Sequence, residues 1–389
     1  MVSAVNPLRP SAPRDAVAAA RALAPAFAAR AALHDREASF PFENFAALAE
    51  AGLLALTVPA PLGGGGAAAG EAARVLSVVA EADPSTALVL AMHYVQHLTM
   101  ATGDRYPPAL VRRLARESVE GIALINALRV EPDLGSPSRG GLPATVARRT
   151  ATGWRLSGRK IYSTGAPILK WYAVWVRTDE PDPRVGMLLV GADRPGIRIV
   201  ESWDHLGLRA SGSHDVVFED VLVPLDHELD LRKPADWQAA DPFHQAIHGL
   251  VIAAIYDGVA RAAQSWVKDF VSRRVPSNLG AALASLPRVQ EAVGEGEVKL
   301  ALNRRLINSF AADIDAGASP EAGEAAVLKL AVTNNAVAVV EGALALAGNH
   351  GLSRTNPLER HYRDVLCGRV HTPQDDSTRL AAGRLALSL

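Results

Sequence analysis

Apolar residues recur three and four positions apart from Asp15 to about Ser118. This spacing predicts amphipathic helices, because one face of a helix repeats every 3.6 residues. A cluster of Pro and Gly at 59–66 and the pair Asp83-Pro84 divide the pattern into segments. The apolar stretch from Ser85 to Thr99 predicts a buried helix that begins at a Ser or Thr cap. We therefore expect an all-helical N-terminal domain over residues 1–118.

The hydrophobic period shortens after Gly121 and stays short to about Glu228. Runs of apolar and alternating residues between turn residues are typical of strands. The clearest of these runs are Trp171–Val176, Gly186–Val190 and Val216–Phe218. The sequence predicts a small antiparallel β-barrel or sandwich over residues 119–232.

The helical period returns after Pro234 and Trp237 and continues to Leu389. It predicts long helices around residues 247–273, 286–316 and 321–347, with loops at 275–280 and 348–357. We expect a helical C-terminal domain over residues 233–389. Helix, sheet and helix in this order give an α+β fold class.

Composition narrows the classes of partner. The chain has 40 basic and 41 acidic residues, and no basic run is long enough to follow a nucleic-acid backbone. Its single cysteine, Cys367, excludes a disulfide framework and a multi-cysteine metal site. The N-terminus lacks the basic start and compact apolar core of a secretory signal. No uninterrupted apolar stretch approaches the roughly 20 residues of a membrane span. We expect a cytoplasmic protein that binds neither nucleic acid nor membrane.

Four motifs carry the chemistry of the chain, and together they resemble the acyl-CoA dehydrogenase superfamily. Each is a short pattern of Gly, Arg, Ser or acidic residues, but their common order makes the combination specific. The motifs are Glu131–Ser136 (Glu-Pro-Asp-Leu-Gly-Ser), Gly153–Ala166, Leu206–Ser213 (Leu-Gly-Leu-Arg-Ala-Ser-Gly-Ser) and Pro357–Asp364. The resemblance implies a helical N-terminal domain, a middle β domain and a C-terminal four-helix bundle.

The same resemblance implies a flavin cofactor, with FAD expected and FMN as the alternative. An isoalloxazine ring needs an aromatic or aliphatic wall and a few fixed hydrogen-bond donors. Tyr162 and Thr164 match the family's aromatic residue and N5-side hydroxyl, and Ser163 lies between them. Glu131 and Ser136 belong to a motif that lies beside the flavin or the substrate thioester in the family. Family members bind the diphosphate and adenine of FAD through a neighbouring subunit, and the nearest matches to the residues that do so are Arg273, Arg274 and Gln290, although the usual Phe-Gly pair is absent.

The family's catalytic glutamate is replaced in this chain. Thr372 lies eight residues after Asp364, where the family commonly has the carboxylate that removes the substrate's α proton. A threonine hydroxyl cannot act as this base, because a base needs a pKa near the working pH. Some members carry the glutamate instead on the first helix of the C-terminal domain, and His248 stands near that place.

Histidines are the candidates that remain for the catalytic role. His371 adjoins Thr372, His248 lies on the other helix, and His93 and His97 are four residues apart in the N-terminal domain. For a single imidazole, a hydrogen-bonded structural role competes with catalysis. A metal site is not expected, because no Glu-rich helix accompanies the spaced pair.

Two functions therefore stay open. One is a dehydrogenase that acts on an acyl-CoA or related small molecule, with a histidine, Asp375 or Asp376 as the base, and passes electrons to an electron-transfer partner. The other is a two-component monooxygenase, similar to the dibenzothiophene-desulfurising enzymes, which takes reduced flavin from a partner reductase. His371-Thr-Pro373 stands in the register of the His-Asp-Pro motif of the latter group. A catalytically silent flavin-binding scaffold is a third class. The resemblance also implies a homotetramer or homodimer.

Overall fold

The N-terminal domain of the computed structural model is helical. The model describes residues 13–102, 105–133, 141–237, 241–321 and 323–388. The helix predicted over 85–99 begins at Pro84, and its cap is Asp83, whose side chain accepts from the Ser85 N–H at 3.1 Å. The expected Ser or Thr cap is therefore wrong. The helices are α1 (Ala16–Glu37), α2 (Phe42–Glu50), α3 (Ala69–Ala82), α4 (Pro84–Ala101) and α5 (Pro108–Glu120).

The middle of the chain forms one mixed sheet in the order β6-β7-β3-β2-β4-β5-β8, with β1 paired to β4. Most pairs are antiparallel, as expected, whereas β1 and β2 both run parallel to β4. All three strands predicted from apolar runs lie within β4, β5 and β7. The strands are β1 (Leu124–Leu128), β2 (Val146–Arg149), β3 (Gly153–Lys160), β4 (Leu169–Thr178), β5 (Val185–Gly191), β6 (Ile197–Val200), β7 (Asp215–Pro224) and β8 (Glu228–Arg232).

The C-terminal part is helical again, and α6, α7, α8 and α10 pack together as a bundle. Helix α6 is the centre of the molecule, since it also packs against α3 and α4. The predicted loop at 348–357 contains one short helix. The helices are α6 (Pro242–Arg273), α7 (Pro287–Asp315), α8 (Glu324–Ala347), α9 (Asn349–Leu352), α10 (Leu358–Leu366) and α11 (Asp375–Ala386).

The sheet is fixed to the C-terminal bundle through the Leu206–Ser213 motif. The backbone N–H of Leu208 donates to Asp364 at 2.7 Å. A Cβ at Gly207 would lie 2.3 Å from the carbonyl oxygen of Arg363, so only glycine permits this approach. Arg363 also binds Asp35 of α1 at 2.6 Å. These motif residues therefore hold the three parts of the chain in one arrangement.

Helices α1, α6 and α8 are long and apolar enough to cross a membrane by length and composition alone. In α6, 83% of the most apolar window is buried inside the protein, so the core accounts for its apolarity. The corresponding values are 44% for α8 and 22% for α1. The predicted cytoplasmic location stays a prediction.

Candidate active site

Helix α6 carries His244 and His248, which are four residues apart, and Tyr256, which lies about two turns further along. Residues four apart lie on the same side of a helix. The phenol oxygen of Tyr256 lies 2.7 Å from Nδ1 of His371, which follows α10 in the sequence. This bond brings His371 to the helix that carries His248, and His248 is among the groups that lower the pKa of His371.

A glycine positions His371. Cys367–Arg369 forms a single 3₁₀ turn between α10 and His371. A Cβ at Gly368 would meet the Tyr256 ring at 3.1 Å and a methyl carbon of Thr333 at 3.2 Å. These distances are tighter than ordinary contact, so the turn packs this closely on α6 and α8 because a side chain is missing.

Burial keeps the site neutral. It lowers the pKa of His371 to about 3 and that of His248 to about 4, and it raises the pKa of Tyr256 well above 10.0. His371 is surrounded by protein but keeps part of its surface accessible. Because the phenol stays protonated, it can donate to Nδ1, and the ring proton of His371 then resides on Nε2.

One cation, Lys329, and one carboxylate, Asp375, lie beside the segment that follows His371. Besides His248, the charge that acts on the pKa of His371 is that of Lys329, whose Nζ donates to the Pro373 carbonyl at 3.1 Å. Asp375 lies 3.5 Å from the same Nζ and accepts from Asn334 at 2.9 Å. Thr372 is exposed. The nearest carboxylate in sequence is thus committed to other groups, and a hydroxyl stands where the family has its base.

The other predicted histidine pair has structural partners. His93 donates from Nε2 to the Leu54 carbonyl at 2.9 Å and accepts from the Ile125 N–H at Nδ1 at 3.2 Å. Nε2 of His97 lies 3.1 Å from the Ser118 hydroxyl. Both rings are buried, and burial lowers both pKa values. No bond joins either ring to His371 among the described residues, where no group of three or more His, Cys, Asp and Glu side chains is placed for a metal ion.

Tyr162 belongs to an exposed aromatic shelf. Its backbone is left-handed (φ 55°) and its side chain is 52% exposed, which is unusual for a large ring. Trp203 and His205 are stacked at 3.8 Å, and the Tyr162 ring meets each of them edge-on at 6.1 and 5.7 Å. The aromatic shelf (Tyr162, Trp203 and His205) fits the flat, apolar ring of a flavin.

Polar groups lie next to the aromatic shelf. The Thr164 hydroxyl is 3.0 Å from that of Ser213, which is 2.8 Å from that of Ser211, and Asn126 donates to the Thr164 carbonyl at 3.0 Å. The Ser163 hydroxyl is buried and has no partner in the described chain. This chain of hydroxyls can supply the fixed donors that a flavin edge requires.

Glu131 has an internal role that the sequence alone does not reveal. Its carboxylate accepts from Lys160 at 2.6 Å, from the Ala144 N–H at 2.7 Å and from the Thr145 hydroxyl at 2.5 Å. Both charged residues are buried. The carboxylate therefore fixes the loop before β2 to the end of β3. Ser136 lies outside the described residues.

The three residues predicted to hold the diphosphate and adenine are exposed where α6 ends and α7 begins. Arg273 donates to Asp269 at 2.8 Å, and Gln290 donates to the Ala284 carbonyl at 2.9 Å. Arg274 is the C-cap residue of α6. The three residues lie at the opposite end of α6 from His244, and no contact in the described chain connects them to Tyr162.

Three residues of the site escaped the sequence analysis: Tyr256, His244 and Lys329. The four-residue spacing along α6 was readable and could have identified the first two. Lys329 gives no such signal, since a lysine on an apolar helix is usually exposed. Its neighbours come from α11, 46 residues further on.

Family models match three stretches of the chain. They are described as "Acyl-CoA dehydrogenase, N-terminal domain" at 14–116, "Acyl-CoA dehydrogenase, middle domain" at 129–221 and "Acyl-CoA dehydrogenase, C-terminal domain" at 250–375. The matches follow the order of the helical, sheet and helical parts.

Relatives with two kinds of activity resemble the chain over most of its length. A putative acyl-CoA dehydrogenase of Bacillus subtilis, YdbM, is 35% identical, with 92% of this chain and 94% of the relative covered. L-evernosamine nitrososynthase of a Micromonospora species is 32% identical, with coverage of 90% and 84%. The solved structure of KijD3, in complex with FMN and a dTDP-linked amino keto sugar, has a TM-score of 0.85 and 29% identity to this chain. The match covers 99% of this chain and 97% of the KijD3 chain.

Proposed function

We propose that this chain, which belongs to the acyl-CoA dehydrogenase family, is a two-component flavin-dependent monooxygenase that oxygenates a small organic molecule. One observation carries the proposal: a neutral imidazole, His371, held by the Tyr256 phenol at 2.7 Å, adjoins Thr372 at the position where dehydrogenation needs a carboxylate.

FMN is the cofactor that we propose. The aromatic shelf supplies a wall for the isoalloxazine ring, and the hydroxyl of Thr164 supplies a polar group near its edge. The adenine-binding residues of the family are incomplete here, since the Phe-Gly pair is absent and Arg273 is paired with Asp269. The KijD3 structure, with FMN, supports the same choice. When bound and reduced, such a flavin supplies two electrons to molecular oxygen.

The chain's own residues hold a proton in the right place for this chemistry. In this proposal the Tyr256 phenol donates to Nδ1 of His371, so that Nε2 carries a hydrogen that can be donated. A neutral donor stabilises negative charge on oxygen, whereas a carboxylate at the same place would repel it. The low pKa of His371 keeps the ring in this neutral form at pH 7.

Acyl-CoA dehydrogenation is the second candidate, and the 35% identity to the putative dehydrogenase of Bacillus subtilis favours it. It requires a base facing the substrate. Asp375 is the nearest acidic side chain in sequence, but it is engaged by Lys329 and Asn334. Asp376 is exposed and accepts from the backbone N–H of Ser377.

The test is oxygen uptake with reduced flavin supplied by a separate flavin reductase and a reduced nicotinamide. If the protein is a monooxygenase, we expect it to bind reduced FMN and to change the rate or the products of the reaction of FMN with oxygen. If the reductase alone gives the same oxygen trace and the same hydrogen peroxide yield, the proposal fails.

A homotetramer or homodimer in the cytoplasm completes the proposal. Val298, Leu302 and Leu306 form an exposed stripe along α7, with side chains 60%, 54% and 41% accessible. Residues four apart on a helix make one continuous face, and such a face supports pairing with a second copy. Light scattering of the purified protein measures the number of subunits.

A further inference from the structure

Arg129 is a partly buried cation that forms no ion pair with a described carboxylate. It follows β1 directly, and its guanidinium lies 4.7 Å from the ring of Trp175. No described carboxylate lies within ion-pair distance of it. The nearby Asp230 acts on its pKa but is already held by both nitrogens of the Arg232 fork. A guanidinium away from water normally has such a partner, because an unpaired charge in low dielectric is costly.

Two neighbouring hydrogen-bond donors also lack partners. Within the described chain, Nε of Arg129 and Nε1 of Trp175 are both buried and bonded to nothing. Trp175 is only 5% exposed. Each unsatisfied buried donor costs about 1–3 kcal/mol, and native proteins contain few of them. Two such donors on side chains that stack against each other indicate a place where an acceptor binds.

This place adjoins the start of α6, where His244 and His248 lie. Trp237 packs edge-on against Trp175 at 4.6 Å, and α6 begins five residues later, at Pro242. The rings of His244 and His248 are 6.3 Å apart, and Thr99 lies 3.2 Å from Nδ1 of His244. The charge of Arg129 also acts on the pKa of both imidazoles.

The surroundings of Arg129 are partly open to solvent. Nε of Arg129 and Nε1 of Trp175 are buried, whereas Arg129, His244 and His248 each keep part of their surface accessible. Side chains that are deep yet accessible face a space that a small molecule can enter.

We propose that Arg129, with the imidazoles of His244 and His248 beside it, forms the subsite that binds a carboxylate of the substrate. This assignment rests on the proposed function, because it names the substrate class of that same pocket. The guanidinium presents paired N–H donors that match a carboxylate, and the Trp175 face holds it in place.

Charge favours a carboxylate over a diphosphate. The two imidazoles are neutral at pH 7, with pKa values lowered to about 3 and about 4. The other cations that act on them are paired, Arg105 with Asp241 at 3.2 Å and Lys329 with Asp375 at 3.5 Å, so Arg129 supplies the uncompensated charge. One negative charge is then neutralised, whereas a diphosphate would leave excess charge in a poorly hydrated space.

A matched pair of probes, phenylacetate and phenylacetamide, tests the subsite by ligand-observed NMR on the flavin-loaded full chain, without reductant. The pair has nearly the same shape and differs in charge. The wild-type protein is expected to bind the acid at least about tenfold more tightly than the amide, and Arg129→Met is expected to abolish that preference. Equal binding of acid and amide to the wild type would overturn the proposal.

Arg113→Met is the matched control. Arg113 also lies over a tryptophan, Trp171, at 4.5 Å, but it is paired with Glu117 at 3.0 Å. This variant is expected to keep the preference for the acid. If Arg129→Met does not fold, Arg129→Lys keeps the charge and is expected to bind the acid more weakly than wild type but still better than the amide. An acid preference that is lost equally in both Met variants contradicts the proposal.

dTDP is the third probe and separates the two anion classes. It is expected not to displace phenylacetate. Displacement that depends on Arg129 would overturn the carboxylate assignment in favour of a diphosphate. Since these measurements involve no oxygen, their failure is distinct from failure of the oxygen-uptake test, and either can succeed alone.

Discussion

The Tyr256 phenol and Nδ1 of His371 lie 2.7 Å apart although 115 positions separate them in the chain. The first residue is on the central helix α6, and the second follows the turn after α10. When the phenol donates in this bond, the proton of the imidazole lies on Nε2. The proposed oxygen chemistry depends on this bond.

Tyr256→Phe removes the hydroxyl and keeps the ring. We expect the variant to bind flavin as the wild type does, and the rate at which its reduced flavin is reoxidised by oxygen to change about tenfold or more. Loss of an orienting partner disturbs proton donation, which typically contributes about 10²–10⁴ in rate. Stopped-flow absorbance of the flavin measures the effect.

Tyr94→Phe is the control for this substitution. Tyr94 is also fully buried, and its hydroxyl donates to the Leu53 carbonyl at 2.6 Å, in the N-terminal domain. We expect each variant to lose about 1–3 kcal/mol in the free energy of unfolding, because each substitution leaves a buried hydrogen-bonding group without its partner. Identical reoxidation rates in the two variants would remove Tyr256 from the chemistry.

Gly368→Ala tests how the site is positioned. The new methyl group meets the Tyr256 ring at 3.1 Å, so the turn must move away from α6. We expect a loss of about 1–3 kcal/mol in the free energy of unfolding, which is typical of overpacking. The change in reoxidation rate should have the direction seen in Tyr256→Phe. Gly342→Ala, where nothing lies within 4 Å, is the control and should leave the rate unchanged.

Glu131→Gln tests whether the buried carboxylate is structural. It leaves the Lys160 ammonium uncompensated in the interior, which costs about 3–5 kcal/mol. The pKa of Lys160 is lowered by burial to about 8, so the loss should be smaller at pH 9, where the amine sheds its proton. Urea denaturation at two pH values measures both effects.

Glu219→Gln provides the comparison, since Glu219 forms an exposed pair with Arg198 at 3.4 Å. It should change stability by no more than about 0.5 kcal/mol. Equal losses in the two glutamine variants would mean that the buried Glu131–Lys160 pair stabilises the protein no more than the exposed Glu219–Arg198 pair does.

The pH dependence of stability reports the neutral imidazole. The pKa of His371 is 6.5 when unfolded and is lowered by burial to about 3 in the folded protein. Below pH 6.5 the unfolded chain binds a proton that the folded protein does not, so the contribution of His371 to stability falls as pH drops towards 3. The slope is at most about 1.4 kcal/mol per pH unit, and hydration of the ring's accessible edge reduces it.

His371→Gln removes that contribution. Between pH 7 and pH 5, wild-type stability should fall more than the stability of the variant. Other buried groups, such as Asp364 with a pKa raised to about 7, titrate in both proteins and cancel in the difference. Parallel stability curves would show that His371 is freely hydrated.

The sequence predicts the fold well, because periods of 3.6 and 2 residues are local signals. Helix α6 and strands β4, β5 and β7 lie where the apolar pattern places them. The site is less predictable, since its bonds are long-range. Nothing local indicates that Tyr256 meets His371, or that Glu131 is consumed by Lys160. Unpaired groups such as Nε of Arg129 become visible only when every neighbour is known.

We propose that Thr372 and a neutral His371 replace the dehydrogenase base. Anaerobic mixing of the flavin-loaded protein with straight-chain acyl-CoA thioesters of short and medium length is the decisive experiment. We expect the flavin absorbance of the wild type to stay unchanged with every thioester. Thr372→Glu, which restores a carboxylate, serves as the comparison and shows whether a thioester can reach the flavin at all. Bleaching of the wild-type flavin by any of the thioesters would show that the protein retains a dehydrogenase base.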